Sequence, residues 1–223
     1  MATTLFSMPA GTAAGGGHTE LTLRERKKRE TRKRISDAAT PLIAVRGFDN
    51  VTVTEIAEAA GVSAMTVFNH FPRKEDLFLD RIPEAVELFS SAVLNRPDDE
   101  TPLAALRRLA LELLDQRSPL AGVGDTFPPF WRVVIGSPAL RARAREGVEE
   151  IEHALEEAIR RTTGPGEADP AITAALTVAA YRSVYLTTAR RLLAGERADD
   201  LAEEHRLRVH QAFDAVERGL LAP

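Results

Sequence analysis

The chain of 223 residues contains no cysteine, which excludes disulfide bonds, thiol nucleophiles and thiolate metal sites. Aromatic residues make up only 5% of it, and no apolar run is long enough to cross a bilayer. The first twenty residues have neither the basic start nor the apolar centre of a signal peptide. These absences predict a cytoplasmic protein with no membrane partner.

A large net charge is also missing, but the charges are unevenly distributed. The whole chain carries a net charge of −4. Residues 24–74 hold eleven Lys and Arg against six Asp and Glu, whereas residues 75–223 hold eighteen against twenty-six. A basic segment ahead of an acidic remainder is typical of a nucleic-acid-binding head attached to a body with another task.

The apolar pattern predicts an all-α protein of about nine helices, without a convincing strand. Residues 1–21 have no periodic apolar face and are predicted to be a disordered tail. We expect a three-helix, helix-turn-helix DNA-binding domain at 22–72. A six-helix body is expected at 73–223, and its first helix is predicted to run without a break from about 73 to 94.

Strong local signals lie between residues 52 and 72. Thr52 and Glu55 have the spacing of a capping box, Gly61 permits a tight turn, and Ser63 can cap a short helix that Pro72 closes. A helix, a tight turn and a second helix within about twenty residues are the geometry of a helix-turn-helix. The segment therefore predicts a DNA reader.

The same segment, TVTEIAEAAGVSAMTVFNHFPRKEDLF at residues 52–78, closely resembles the DNA-binding signature of the TetR/AcrR family of regulators. The resemblance covers roughly residues 30–80. It implies that a double-stranded DNA operator is bound by the second and third helices, with phosphates contacted mainly by hydroxyl and basic side chains. The residues expected at the DNA are Thr54, Ser63, Ala64, Met65, Thr66, Phe68, Asn69, His70 and Lys74.

One position departs from the family pattern. Phe68 stands where many relatives carry a tyrosine, so it can pack against the DNA backbone but donates no hydrogen bond. Asn69 is the one outward side chain of this helix with paired hydrogen-bonding capacity. We therefore expect part of the specificity to come from the shape of the DNA.

An aromatic stripe in the predicted sixth helix is a candidate for ligand binding. Phe127, Phe130, Trp131 and Val134 share one helical face, which ordinary core packing would explain equally well. The family resemblance implies a pocket for a small-molecule effector between the helices of the body. Its other expected lining residues are Leu106, Leu109, Leu176, Tyr181 and Tyr185.

The expected effector is apolar or amphipathic. The C-terminal part is more weakly similar to an acyl-CoA-responsive group of the family, and Arg107, Arg132 and Arg182 are available for an anionic headgroup. The resemblance also implies a homodimer formed by the last two helices. Their apolar faces contain Ile172, Leu176, Val184 and Leu192, followed by Val209, Phe213, Val216 and Leu220.

The sequence thus predicts a TetR-type regulator, a repressor that binds a palindromic operator as a dimer and is released by a ligand. A ligand-independent or activating regulator stays open. So does a helical ligand-binding or enzymatic protein whose DNA-binding head is vestigial. The histidines are scattered and no nucleophile motif is present, so we expect no metal, no cofactor and no enzymatic activity.

Overall fold

A computed structural model describes residues 22–125, 127–164 and 168–221. Within these ranges the chain forms nine α-helices and no strand, which confirms the predicted fold class. The helices are α1 (Leu23–Arg46), α2 (Val53–Ala59), α3 (Ala64–His70), α4 (Ile82–Leu94), α5 (Pro102–Asp115), α6 (Phe127–Gly136), α7 (Pro138–Thr162), α8 (Pro170–Leu193) and α9 (Ala198–Leu221). The predicted tail at 1–21 lies outside the described residues.

The chain divides into two compact units. The first, which we call the head, contains α1–α3, continues to Asp80 and includes residues 132–143 at the junction of α6 and α7. The second, which we call the body, consists of residues 81–131 and the chain from Ala144 onward. The head therefore extends beyond the boundary expected at residue 72 and takes in a segment from much later in the sequence.

Local capping sets the ends of the helices in the head. The Thr52 hydroxyl accepts from the Glu55 amide at 3.2 Å, and the Glu55 carboxylate accepts from the Thr52 amide at 2.8 Å, as the capping-box pattern predicts. Gly61 adopts a φ of +63°, a left-handed conformation that side-chain-bearing residues rarely adopt. The helices then pack around a core of fully buried side chains that includes Ile35, Ile43, Ile56, Val67 and Phe71.

The predicted unbroken helix from 73 to 94 is wrong. A short 3₁₀ helix spans Lys74–Leu77, and α4 begins only at Ile82. Pro83 lies in the first turn of α4, where its missing amide hydrogen costs nothing. Inside a longer helix the same proline would remove a hydrogen bond and clash with the preceding turn, so the helix starts at this point.

The body is held together by apolar side chains from α4 to α9, packed in two clusters. Five of the side chains expected on the dimer face lie inside these clusters: Val184, Leu192, Val209, Phe213 and Val216. Their apolar stripes pack α8 and α9 into their own subunit, because α9 lies against both α8 and α5. No helix in the described ranges is long and apolar enough to cross a membrane.

Candidate DNA-binding surface and ligand site

Helix α3 separates a buried side from an exposed side within seven residues. Val67 is fully buried against the other head helices, whereas Met65 and Phe68 are 68% and 48% exposed and Asn69 is exposed as well. Ala64 is half-buried beside them. A soluble protein gains nothing from exposing two large apolar side chains on one short helix. This face therefore has the character of a contact surface.

Hydroxyl groups surround the start of α3. The Ser63 hydroxyl accepts from the Thr66 amide at 3.1 Å and lies 2.8 Å from the Thr66 hydroxyl. Ser63 is exposed, and Thr54, on α2, is exposed as well. Exposed hydroxyls next to the positive end of a helix are suited to phosphate oxygens.

Lys74, expected at a phosphate, is turned towards the head itself. Its ammonium donates to the Phe48 carbonyl at 2.6 Å and lies 4.2 Å from the centre of the Phe48 ring. Burial lowers the pKa of Lys74, and the carboxylates of Asp49, Glu75 and Glu55 partly oppose that shift. In this conformation Lys74 anchors the chain after α1 to the chain after α3.

His70 closes α3 and is half-buried. Its Nδ1 atom is buried without a hydrogen-bond partner in the described part of the chain. Burial lowers the pKa of His70, and the positive charges of Lys28 and Arg32 lower it further. The Arg32 guanidinium donates to the His70 carbonyl at 2.6 Å and lies 4.0 Å from the centre of the Phe71 ring. Helix α1 is thus tied to the C-terminal end of α3.

A second attachment joins the α6–α7 junction to the rest of the head. Arg143 Nε donates to Asp76 Oδ1 at 2.7 Å, and the two side chains are only 9% and 18% exposed. The Ser137 hydroxyl donates to Asp49 at 3.3 Å. Sequence reasoning missed this ion pair because 67 positions separate its partners, and no local pattern links them.

The aromatic stripe of α6 belongs to a larger cluster in the body. Trp131 packs edge to face against Phe130 and against Tyr185, each at a centroid distance of 5.8 Å. Phe127 packs against Phe130 at 6.2 Å. Gly122 lies against Tyr185 so closely that an added Cβ would meet the ring at 2.2 Å. The structure therefore brings Trp131 of α6 into contact with Tyr185 of α8.

Tyr181, one helical turn before Tyr185 on α8, forms a second group of rings with side chains of α4 and α9. Its ring lies 6.0 Å from Phe89 and 6.5 Å from Phe213. Sequence reasoning missed Phe89 and Phe213 as neighbours of the site. Each is an ordinary apolar position on its own helix, and only the packing of α4, α8 and α9 brings them to Tyr181.

Two buried polar atoms of these aromatic side chains have no hydrogen-bond partner. Trp131 Nε1 and the Tyr181 hydroxyl are buried and make no hydrogen bond with any described residue. Burial also raises the pKa of Tyr181 and Tyr185 well above the ordinary value for a phenol, so both remain neutral. Buried polar atoms normally find partners, and an indole N–H can only donate.

The other residues predicted to line the ligand site do not lie together: they are found in the two core clusters of the body, in the head and on the surface. Leu106 and Leu109 are buried in the two body clusters, and Leu109 shares its cluster with Phe127. Val134 is buried but belongs to the head. Leu176 is 41% exposed, so it lies on the solvent side of α8 and does not join the aromatic cluster.

The three arginines considered for an anionic headgroup are either paired with carboxylates or exposed, although Arg107 lies 5.9 Å from the centre of the Phe213 ring. Arg107 pairs with Asp214 at 2.8 Å and with Glu217 at 3.2 Å. Arg132 and Arg182 are exposed. In the described ranges no group of three His, Asp or Glu side chains is placed to hold a metal ion.

Comparison with known proteins supports this arrangement of helices. The family model for bacterial regulatory proteins of the tetR family matches residues 35–80. The transcriptional regulator TcmR of Streptomyces glaucescens is 31% identical over 203 residues, which cover 90% of this chain and 88% of TcmR.

Two solved structures share the fold. SmeT in complex with triclosan superposes with a TM-score of 0.57 at 20% identity, covering 87% of this chain and 95% of SmeT. NalD of Pseudomonas aeruginosa superposes with a TM-score of 0.52 at 22% identity, covering 82% and 97%. With TcmR similar over nearly its whole length and the tetR-family model matching the head, this chain belongs to the TetR family of ligand-responsive, DNA-binding transcriptional regulators.

Proposed function

We propose that this protein is a cytoplasmic repressor that binds a palindromic operator as a homodimer and that an uncharged, ring-containing ligand releases it. The observation that carries the proposal is the exposed face of α3, where Met65, Phe68 and Asn69 project from a helix anchored by the buried Val67. A helix of this kind fits a major groove, where base edges can be distinguished.

The residues of this surface divide into two roles. Asn69 can bond to an adenine edge through both its amide atoms, whereas Met65 and Phe68 offer apolar contacts to thymine methyl groups. Ser63, Thr66 and Thr54 carry hydroxyls suited to phosphates, which fix position without reading sequence. Phe68 contributes packing alone, as expected from its missing hydroxyl.

Gel-shift titrations on the DNA upstream of the protein's own gene test DNA binding. The wild type should bind one palindromic fragment, and binding should weaken steeply with salt. Asn69→Ala should lose the preference for one base pair, costing about 1–3 kcal/mol there. Thr66→Ala should weaken all sequences about equally. Wild-type binding that does not depend on salt or sequence would overturn the proposal and favour a vestigial head.

The ligand class follows from the unpartnered atoms of the aromatic cluster. Trp131 Nε1 and the Tyr181 hydroxyl are buried among aromatic rings, and each can donate a hydrogen bond to a ligand that parts these rings. A ligand with flat rings and two oxygen acceptors would satisfy both donors. Arg107 lies 5.9 Å from the centre of the Phe213 ring but already pairs with Asp214 and Glu217. A carboxylate or a phosphate-rich headgroup would therefore be buried without a free counter-charge, which is costly.

Release follows from linkage between the two binding events. A ligand that enters the aromatic cluster must separate rings that now touch, so it binds best to a conformation with altered body packing. If that conformation spaces the two heads of the dimer wrongly for adjacent major grooves, ligand and operator weaken each other by the same factor.

Trp131 is the single tryptophan of the chain, so its fluorescence reports directly on this cluster. An uncharged dihydroxyanthraquinone should change Trp131 emission and release the operator at the same concentrations. Palmitoyl-CoA should do neither, and Trp131→Phe should weaken the response to the anthraquinone. Release by palmitoyl-CoA with Trp131 unperturbed would place the effector site elsewhere and restore the acyl-CoA alternative.

The dimer is proposed to form through the outer faces of α8 and α9. Three large apolar side chains stay exposed on these helices: Ile172, Leu176 and Leu207, at 54%, 41% and 54%. Ala179 and Ala215 are exposed near them, and small residues allow helices to approach closely. Two such helix pairs related by a two-fold axis would form a four-helix bundle.

Sedimentation of Leu207→Glu at micromolar concentration tests this interface. The variant should sediment as a folded monomer, because only a solvent-exposed position changes. The matched control is Leu94→Glu, another exposed leucine at the end of α4, which should remain a dimer. A monomeric wild type, or a dimer that tolerates Leu207→Glu with Ile172→Glu, would refute the assignment.

A further inference from the structure

The N-terminal half of α1 is a basic segment that extends beyond the core of the head. Residues 22–30 are all exposed, and Ile35 is the first fully buried side chain of the helix. Residues 23–34 contain eight Lys and Arg against two Glu. At 1.5 Å per residue this segment is about 18 Å long. The side chains of this segment contribute little to the buried core of the head.

One face of α1 changes chemistry along its length. Ile35, Ala39 and Ile43 are buried at helical spacing and pack α1 into the head. Continuing that spacing towards the N-terminus leads through residue 32 to Lys28 and Arg24. The face that is apolar within the core is therefore basic where the helix extends past it.

The contacts of Arg32 place this basic face beside the reading helix. Arg32 donates to the carbonyl of His70, the last residue of α3, and stacks on Phe71. Lys28 is one helical turn from Arg32, and its charge acts on His70, whose pKa it helps to lower. Lys28 thus lies near the C-terminal end of α3, with Arg24 one turn further out.

Neither Arg24 nor Lys28 makes an ion pair within the described part of the chain. On the opposite side of the same helix, by contrast, Lys33 pairs with Asp37 at 2.6 Å. Two unpaired cations on one face, adjacent to a helix that fits a DNA groove, would be attracted to the phosphates that flank that groove. A guanidinium such as that of Arg24 can bind a phosphate with two parallel hydrogen bonds.

We propose that Arg24 and Lys28 form a second DNA-binding surface, which holds backbone phosphates of the operator outside the base pairs that α3 reads. This inference rests on the DNA binding proposed above. It predicts that each subunit covers more duplex than the helix-turn-helix alone. The added contacts increase affinity and salt dependence without adding base specificity.

The test uses the full-length chain and compares two double variants with equal charge loss. Arg24→Ala/Lys28→Ala removes the proposed surface, and Arg26→Ala/Lys33→Ala removes two cations from the opposite side of the same helix segment. Binding to an operator duplex is measured from low to high KCl, on one duplex with long flanks and one trimmed to the palindrome. All four positions are exposed, so thermal melting should be unchanged.

Four phosphate contacts per dimer should disappear in Arg24→Ala/Lys28→Ala, which would reduce the salt slope by about 3–4. Its affinity for the long duplex should fall at least tenfold, whereas the ranking of operator sequences stays the same. Trimming the flanks should lower the operator affinity of the wild type by a similar factor and leave the affinity of this variant nearly unchanged. The control variant should keep most of the wild-type slope and its sensitivity to trimming.

Equal losses in the two double variants would mean that only total charge matters and would overturn the inference. An unchanged slope in Arg24→Ala/Lys28→Ala would do the same while leaving operator binding by α3 intact. Failure of the wild type to bind any of the duplexes would instead overturn the proposed function, and this inference with it.

Discussion

The head and the body differ in how many buried polar side-chain atoms lack a partner: the described part of the head has one, His70 Nδ1, and that of the body has four. In the head, the polar groups at helix ends are mostly bonded, as at Thr52 and Glu55, Ser63 and Thr66, and Arg143 and Asp76. Among the aromatic side chains of the body, Trp131 Nε1 and the Tyr181 hydroxyl are buried without a partner. The head is thus suited to present a fixed surface, and the body retains hydrogen-bonding capacity that a ligand can use.

The largest expected effect comes from breaking a bonded pair in the head. Arg143→Ala would leave the Asp76 carboxylate mostly buried without its guanidinium and should lower the free energy of unfolding by about 3–5 kcal/mol. Urea denaturation measures this loss. The control is Arg160→Ala, whose guanidinium is 54% exposed and pairs with Glu157; it should leave the free energy of unfolding nearly unchanged, because water screens an exposed ion pair. Equal losses of unfolding free energy in the two variants would mean that the buried Arg143–Asp76 pair stabilises the protein no more than an exposed pair does.

Acid should weaken the body through His205. His205 on α9 is buried, its Nδ1 lies 2.8 Å from the Thr188 hydroxyl, and burial lowers its pKa to about 4. The unfolded chain then takes up a proton below about pH 6.5 that the folded protein refuses, so stability falls as the pH drops from about 6.5 towards 4.

The expected loss between pH 7 and pH 5 is about 2 kcal/mol, measured by urea denaturation at each pH. His205→Gln should flatten this dependence even if it lowers stability at pH 7. His153→Gln, at an exposed position on α7, is the control and should leave the slope unchanged. A wild-type stability that is constant from pH 7 to 5 would contradict the buried, neutral state of His205.

Removing an unpartnered polar group from the body should raise the free energy of unfolding, whereas the changes above lower it. Tyr181→Phe deletes a buried hydroxyl without a partner and keeps the ring that packs on Phe89 and Phe213. The free protein should become more stable by about 1 kcal/mol. Its affinity for a releasing ligand should fall about tenfold, because one hydrogen bond is lost. Thermal melting and ligand titration of the same sample measure both effects. A loss of stability in Tyr181→Phe would mean that the Tyr181 hydroxyl has a hydrogen-bond partner in the free protein.

The smallest effect concerns the cap of α2. Thr52→Ala removes the hydroxyl that bonds the Glu55 amide and should cost about 1 kcal/mol. Thr54→Ala, two residues later and exposed, should leave stability unchanged and affect DNA binding alone. Comparing the melting temperature and the operator affinity of these two variants separates structural from DNA-contacting hydroxyls in the head.

Glu55 should keep this cap intact well into the acid range. Hydrogen bonds from Thr52, followed by that from Arg46, lower the pKa of Glu55 to about 2. Because the folded pKa lies below the unfolded one, the stabilisation is complete above about pH 4.5 and is lost only as the pH falls towards 2. Glu55→Gln should lose that pH dependence, and a cap that already melts near pH 5 would contradict it.

Much of the head could be predicted from its sequence, because its signals are local. The capping box at Thr52, the turn at Gly61 and the cap at Ser63 each depend on residues within a few positions of one another. A further capping box at Thr22 and Glu25 was missed, although the same Thr-x-x-Glu spacing is present. Pro83 was overlooked in the same way, and because of it α4 starts at Ile82 instead of continuing from residue 73.

The body was less predictable because an apolar stripe indicates burial but does not identify the partner surface. The stripe with Val209 and Phe213 was expected to face a second subunit, whereas both side chains are buried in the core of their own body. Leu176 was expected in the ligand site and is exposed, since it lies on the opposite side of α8 from Tyr181.

By itself, the sequence determined the all-α architecture, the helix-turn-helix and the family, all of which depend on helical periodicity, capping and a contiguous motif. Only the tertiary structure decided which apolar faces are internal, where Lys74 and Arg143 bond, and that Trp131 packs on Tyr185 and Tyr181 on Phe213. These relations join residues that lie far apart in the chain. The free energy of such contacts depends on the packing of whole helices, which no local pattern encodes.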